Sequence, residues 1–193
     1  RFAASTGWKR NILIRLGTVF SCVAAVPALM AVRFDDSATY GIMYGCFGAG
    51  SLVGLLIIGQ LGHQRLDRRL SGGLFVCAWC ITLLGLTDNP TFAGPLIAAV
   101  GASSVFCSNS VMVAAQMQLG SKIRGRGLSF VYAVGTACLA SGGILWGTVA
   151  RAFSPGVALG ASGVCLLILL AITHKLSIAA PGGQLAEPIK DTV

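Results

Sequence analysis

Charge is scarce in this chain. Only 10% of its 193 residues are Asp, Glu, Lys or Arg, and just six are acidic. Water-soluble domains carry about 25% charged residues, so there is too little charge here to cover a water-facing surface. The long apolar runs contain no Asp or Glu at all. A proton path through a membrane normally needs such an ionisable group, and these runs do not supply one. Histidine is almost missing: His63 and His174 stand at the ends of runs, where a loop position accounts for both. No metal-ligand cluster and no nucleophile–base pair is present, so neither an enzyme nor a bound metal or cofactor is expected. A β-barrel needs ~10-residue alternating segments, and unbroken runs such as GVCLLILLAI at 163–172 exclude it.

What is abundant is apolar length: 55% of the residues are hydrophobic. A bilayer core of ~30 Å takes about 20 residues at ~1.5 Å each. Six stretches reach that scale, at 11–32, 38–61, 71–87, 92–115, 127–150 and 157–174. In lipid every backbone polar group must be satisfied internally, so they are expected to be helices. The fold class that follows is an all-α membrane protein with six transmembrane helices. Residues 1–10 read as the end of a cytoplasmic loop, 11–174 as the bundle, and 175–193, rich in Pro and Gly, as a cytoplasmic tail. The first residue is Arg1, not Met, which suggests the second part of a longer protein. Helix starts are written at Asp36-Ser37, Asn89-Pro90 and Ser154-Pro155.

Charge sets the orientation. Arg1, Lys9, Arg10, Arg65, Arg68, Arg69, Lys122, Arg124, Arg126, Lys175 and Lys190 all fall on one topological side, and the other side holds only Arg33 and Arg151. By the positive-inside rule the rich side, with both termini, is cytoplasmic. The net charge of +8 does not indicate nucleic acid, because the cations are scattered over short loops without interleaved aromatics. Anionic inner-leaflet lipid is the simpler partner. The seven cysteines all lie inside spans, where small apolar packing residues are expected.

Glycine marks helix contacts. Gly41/Gly45, Gly50/Gly54 and Gly143/Gly147 have the four-residue spacing that lets backbones approach closely. The second and fifth spans are the Gly-rich ones. They stand three apart, which fits a three-plus-three inverted repeat. The fourth span is the most polar. Ser104 and Ser108 share a face by their i, i+4 spacing, and Asn109 sits near mid-bilayer. A substrate path and interhelical hydrogen bonds both explain this polarity. Arg15 lies about one turn into the first span, where it either snorkels to the interface or faces an anionic group. The string Gly160-Ala161-Ser162-Gly163 matches the G-x-S-G of rhomboid-type serine proteases. Its only downstream histidine, His174, is about 18 Å along the same helix, too far to act as the base.

Three segments carry a family resemblance. SKIRGRGLSFVYAVGTACLASGGILWGTVA (121–150), with Arg124-Gly125-Arg126 at its basic start and Trp146-Gly147 near its end, resembles the eleventh span of major facilitator superfamily transporters. NILIRLGTVFSCVAAVPALMAV, including Arg15, is similar to the seventh, and YGIMYGCFGAGSLVGLLIIGQL to the eighth, in the branch of siderophore exporters and macrolide-efflux proteins. The superfamily's loop motif, roughly G-x-L-x-D-R-x-G-R-R, resembles the stretch from Gly59 to Arg68. His63 replaces its Asp and Leu66 its second Gly, while Arg65, Asp67 and Arg68 keep a charged loop. The resemblance implies the C-terminal six-helix half of a major facilitator fold. The activity implied is proton-coupled export of small amphiphilic molecules by alternating access, in a bacterial inner membrane. It also implies a missing N-terminal half as partner, and cargo held near the midplane. Arg15, Ser104, Ser108 and Asn109 are the expected cavity wall. A complete six-span homodimer or a non-transporting scaffold is the competing reading.

Overall fold

The computed structural model describes residues 16–34, 36–60, 66–87, 89–118 and 124–173. All regular structure among them is helical. The helices are α1 (Leu16–Arg33), α2 (Ser37–Gln60), α3 (Leu66–Leu86), α4 (Pro90–Gln118), α5 (Arg124–Ala152) and α6 (Pro155–Thr173). Five are long and apolar enough to cross a membrane, and the apolar part of α3, Leu70–Leu86, is shorter. The helices overrun several of the apolar stretches because their polar first turns still form backbone hydrogen bonds.

The helix starts are built from local chemistry. Asp36 caps α2: its carboxylate accepts from the Thr39 amide at 3.0 Å and the Thr39 hydroxyl at 2.9 Å. Asn89 caps α4 by accepting from the Thr91 amide at 3.0 Å, and Ser154 caps α6 by accepting from the Val157 amide at 3.2 Å. Proline follows both, at the first helical position, where its missing N–H costs nothing. The Thr39 amide and hydroxyl hold the Asp36 carboxyl below its ordinary range. The cap is therefore in place above the ordinary carboxylate pKa of about 4 and is lost as pH falls through the lower folded value. Hydrogen exchange on acidification is expected to cost the Thr39 amide its protection relative to its intrinsic rate. The Val157 amide, capped by a hydroxyl, should keep its protection; equal loss at both sites would refute the capping account.

Proline also shapes α1. Pro27 cannot donate to the Val23 carbonyl, and the regular pattern breaks at Ala24 before resuming over Ala25–Arg33. The Ala24 amide still bonds Phe20 at 3.0 Å, and the Ala28 amide bonds Ala24 at 3.2 Å, so backbone bonding continues through the break.

Small residues set the packing. Along the parallel pair α2–α4, a Cβ added to Gly50 would overlap the Ala98 carbonyl, and one on Gly54 the Ala102 carbonyl. One on Gly101 would overlap the Phe47 carbonyl in return. The parallel pair α1–α5 repeats the device, with Gly142 against the Ser21 backbone and Gly17 against Cys138. The antiparallel pair α3–α6 closes through Gly85 on Gly160 and Gly163 on Thr82. Ile81, Leu84, Leu159 and Leu166 are fully buried around that seam.

Exchanging the first three helices for the last three maps the contact α2–α4 onto α5–α1, α3–α4 onto α6–α1, and α1–α2 onto α4–α5, with α3–α6 mapping onto itself. All of these contacts occur. The three-plus-three arrangement is thus present in the packing; α5–α6 alone lacks a comparable α2–α3 counterpart. Large apolar side chains such as Leu56, Trp79, Phe130 and Ile172 face outward. Such exposure suits a lipid surround and would be an aggregation liability in water.

Candidate functional site

α4 sorts its polar residues onto different faces. Ser103 and Ser110 point into the bundle and are buried. Ser104 and Ser108 line a cavity of about 130 Å³ together with Val19, Phe20 and Val23 of α1, Val105 of α4 and Leu139 of α5. The cavity sits where α1, α4 and α5 converge. Its wall is hydrocarbon except for the two hydroxyls, one turn apart.

Those hydroxyls are satisfied locally. Ser104 donates to the Gly101 carbonyl at 3.0 Å and Ser108 to the Val105 carbonyl at 3.1 Å. Asn109 donates to the same Val105 carbonyl at 3.1 Å. Donating back to the helix removes most of the cost of placing a polar group in lipid. It also leaves the oxygen lone pairs of Ser104 and Ser108 free to accept from a ligand or water. The bonds of these three residues stay within α4 and do not tie helices together.

Of the four residues proposed from the sequence, the structure brings Ser104 and Ser108 to one cavity. Asn109 is half-buried on the same helix but does not line it. Arg15 lies outside the described residues, as does Arg65 of the loop motif. Gly59, Asp67, Arg68 and Arg124 have described backbones only. Gly125 and Arg126 are exposed at the start of α5. Gly50 and Gly54 pack on α4, whereas Gly41, Gly45 and Gly147 meet nothing within 4 Å, and Gly143 only touches Ala28. The close contact on α5 falls one position earlier, at Gly142.

Sequence reasoning missed the α1 side of the site. Ser21 donates to the Cys138 carbonyl at 3.2 Å, and the Trp146 indole N–H donates to the Ser21 carbonyl at 2.9 Å. These bonds anchor α5 to α1 beside the cavity, just ahead of the break at Ala24. The small Gly17 and Ser21, four residues apart, were the available signal. Trp146→Phe keeps the buried ring and deletes the donor. It is expected to cost about 1 kcal/mol, or roughly 2–4 °C in thermal midpoint for a chain this size; an unchanged midpoint would deny the bond any stabilising role. Arg33 was likewise unforeseen. At the end of α1 it donates to the Thr87 carbonyl, the last acceptor of α3, and approaches Gly156 of α6. A cation is favourable at a helix C-terminus, so Arg33 joins three helices at the end opposite the basic loops.

The rhomboid-like string has a packing role. The Ser162 hydroxyl is fully buried and donates to the Leu159 carbonyl at 2.8 Å, while Gly160 and Gly163 seat α6 on α3.

No curated protein and no solved structure matches the chain. A family model does, over residues 1–188, described as transmembrane secretion effector. With that match, a helical bundle built as two triplets and a cavity between α1, α4 and α5, the chain belongs to the transmembrane secretion effector family of the major facilitator superfamily.

Proposed function

We propose that this chain works as the C-terminal six-helix half of a proton-coupled exporter of small amphiphilic molecules. The observation that carries this reading is the unfinished surface of α2 and α5. Only 17% of each apolar window is buried, against 50% for α1 and 44% for α4. Lipid-facing helices are expected to present large aliphatic side chains. The open face of α2 instead presents Gly41, Gly45 and Gly48. On α5 the exposed residues Ser129, Ala133, Thr136 and Ala140 recur at helical spacing along one face. Small residues of this kind fit close approach by further helices, which an N-terminal half would supply. The cavity at Ser104 and Ser108 then becomes one wall of a path between the halves.

The cavity chemistry supports an amphiphile. Hydrocarbon walls take the apolar body, and the two hydroxyl oxygens accept from its N–H or O–H groups. The apolar stretches hold no carboxylate, so the proton-binding acid belongs to the other half. The basic end of the bundle faces the cytoplasm, with both termini, in a bacterial inner membrane.

The test is transport of ethidium into inside-out vesicles by the gene product that carries this chain. Uptake on energisation, abolished by a protonophore, is the expected result. Uptake indifferent to the proton gradient, or none above control vesicles for any of a panel of amphiphilic dyes, would overturn the proposal.

A further inference from the structure

One carbonyl in the cavity wall has more donors than lone pairs. The Val105 carbonyl accepts from the Ser108 hydroxyl at 3.1 Å and from the Asn109 side-chain amide, also at 3.1 Å. α4 is helical throughout Pro90–Gln118, so the backbone amide four residues on, that of Asn109, points at the same oxygen. A carbonyl oxygen has two lone pairs. The helix bond takes one, and the two side chains compete for the other.

Ser104 has no such rival. Its hydroxyl donates to the Gly101 carbonyl at 3.0 Å. The side chain four residues on from Gly101 is Val105, which has no donor. The two serines of the cavity therefore differ in what they can do. A carbonyl cannot donate, so each hydroxyl bonded to one spends its single proton there. When Asn109 holds the Val105 carbonyl, the Ser108 proton can turn towards the cavity and the helix stays satisfied. The same turn at Ser104 would give up a bond that nothing replaces.

We infer that Asn109, which does not itself line the cavity, is the positioning residue that lets Ser108 donate to cargo while Ser104 accepts. The cargo class that fits is an uncharged or delocalised polar end carrying an N–H or O–H donor and a carbonyl or ether acceptor. The two groups would be spaced like the serines, about 6 Å apart along the helix axis. The inference rests on the exporter reading above, in which this cavity belongs to the path.

The test is dye binding to the full gene product in detergent. Ethidium offers amino donors and no strong acceptor, whereas rhodamine 6G offers secondary-amine donors and an ester carbonyl. Ser108→Ala and Asn109→Leu should each weaken rhodamine 6G binding about fivefold, the worth of one hydrogen bond. The double variant should bind no more weakly than Ser108→Ala alone, because both changes remove the same bond. Asn109→Ser returns a donor to the Val105 carbonyl, as Ser110 donates to Phe106 four residues back at 2.7 Å, and should recover rhodamine 6G binding. Ethidium affinity should shift less than about twofold in Asn109→Leu, since both serine oxygens still accept. Losses that multiply to about 25-fold in the double variant, equal losses for the two dyes, or no recovery in Asn109→Ser would each overturn the inference and leave the exporter reading standing. If neither dye binds the unaltered protein, the two fall together.

Discussion

Gly50→Leu is expected to destroy the assembled bundle, while Leu56→Phe, less than two turns away, leaves it intact. The first Cβ would occupy the position of the Ala98 carbonyl. A backbone atom cannot swing aside as a side chain can, so α2 itself must move. Moving it opens the neighbouring approaches of Gly54 to Ala102 and Gly101 to Phe47, which belong to the same rigid seam. Overpacking a core against side chains costs about 1–3 kcal/mol, and displacing a helix exceeds that. A loss of about 3 kcal/mol corresponds to roughly 6–12 °C in midpoint for a chain of this length; failure to assemble is the limiting case. Leu56 faces outward, so its phenylalanine variant should unfold within a few degrees of the parent in detergent. Equal midpoints for the two variants would mean that the α2–α4 seam does not hold the fold.

The second large effect is expected at the cavity. Ser104→Phe and Ser108→Phe each place a ring in a space of about 130 Å³ and should lower dye export at least about tenfold, or ~1.4 kcal/mol, with the protein still folded. Ser104→Ala removes one acceptor and should cost no more than about fivefold, the worth of a single hydrogen bond near 1 kcal/mol. This ordering separates steric closure of a path from general damage. Wild-type export by both phenylalanine variants would remove the cavity from the path.

The parts of this fold that could be read in the sequence are those written locally. Asp36, Asn89-Pro90 and Ser154-Pro155 identify helix starts because a cap bonds amides only two or three residues away. The spans are legible because lipid demands continuous apolar length. The pairing of Ser104 with Ser108 follows from helical spacing alone. What spacing does not give is the partner. Gly41/Gly45, Gly50/Gly54 and Gly143/Gly147 are spelled alike, yet only the middle pair meets a backbone in this bundle. On α5 the contact turns on Gly142 rather than Gly143, a rotation of about 100° that no composition rule registers. The α1 wall of Val19, Phe20 and Val23 is ordinary span sequence. The Trp146–Ser21 bond joins residues 125 positions apart, and nothing local predicts it.

The most direct measurement is cysteine labelling across the two flanks of α4, in a background whose seven cysteines are replaced by alanine. Cysteines are placed one at a time at Ser104, Ser108, Ala102 and Phe106, and the full gene product is exposed to a membrane-impermeant maleimide. If Ser104 and Ser108 line a water-accessible path between two halves, those positions react and are protected by cargo, while Ala102 and Phe106, on the opposite flank of α4, stay unreactive. Reaction at Ala102 and Phe106 with silence at Ser104 and Ser108 would contradict the account, because the path would then lie on the other side of the helix.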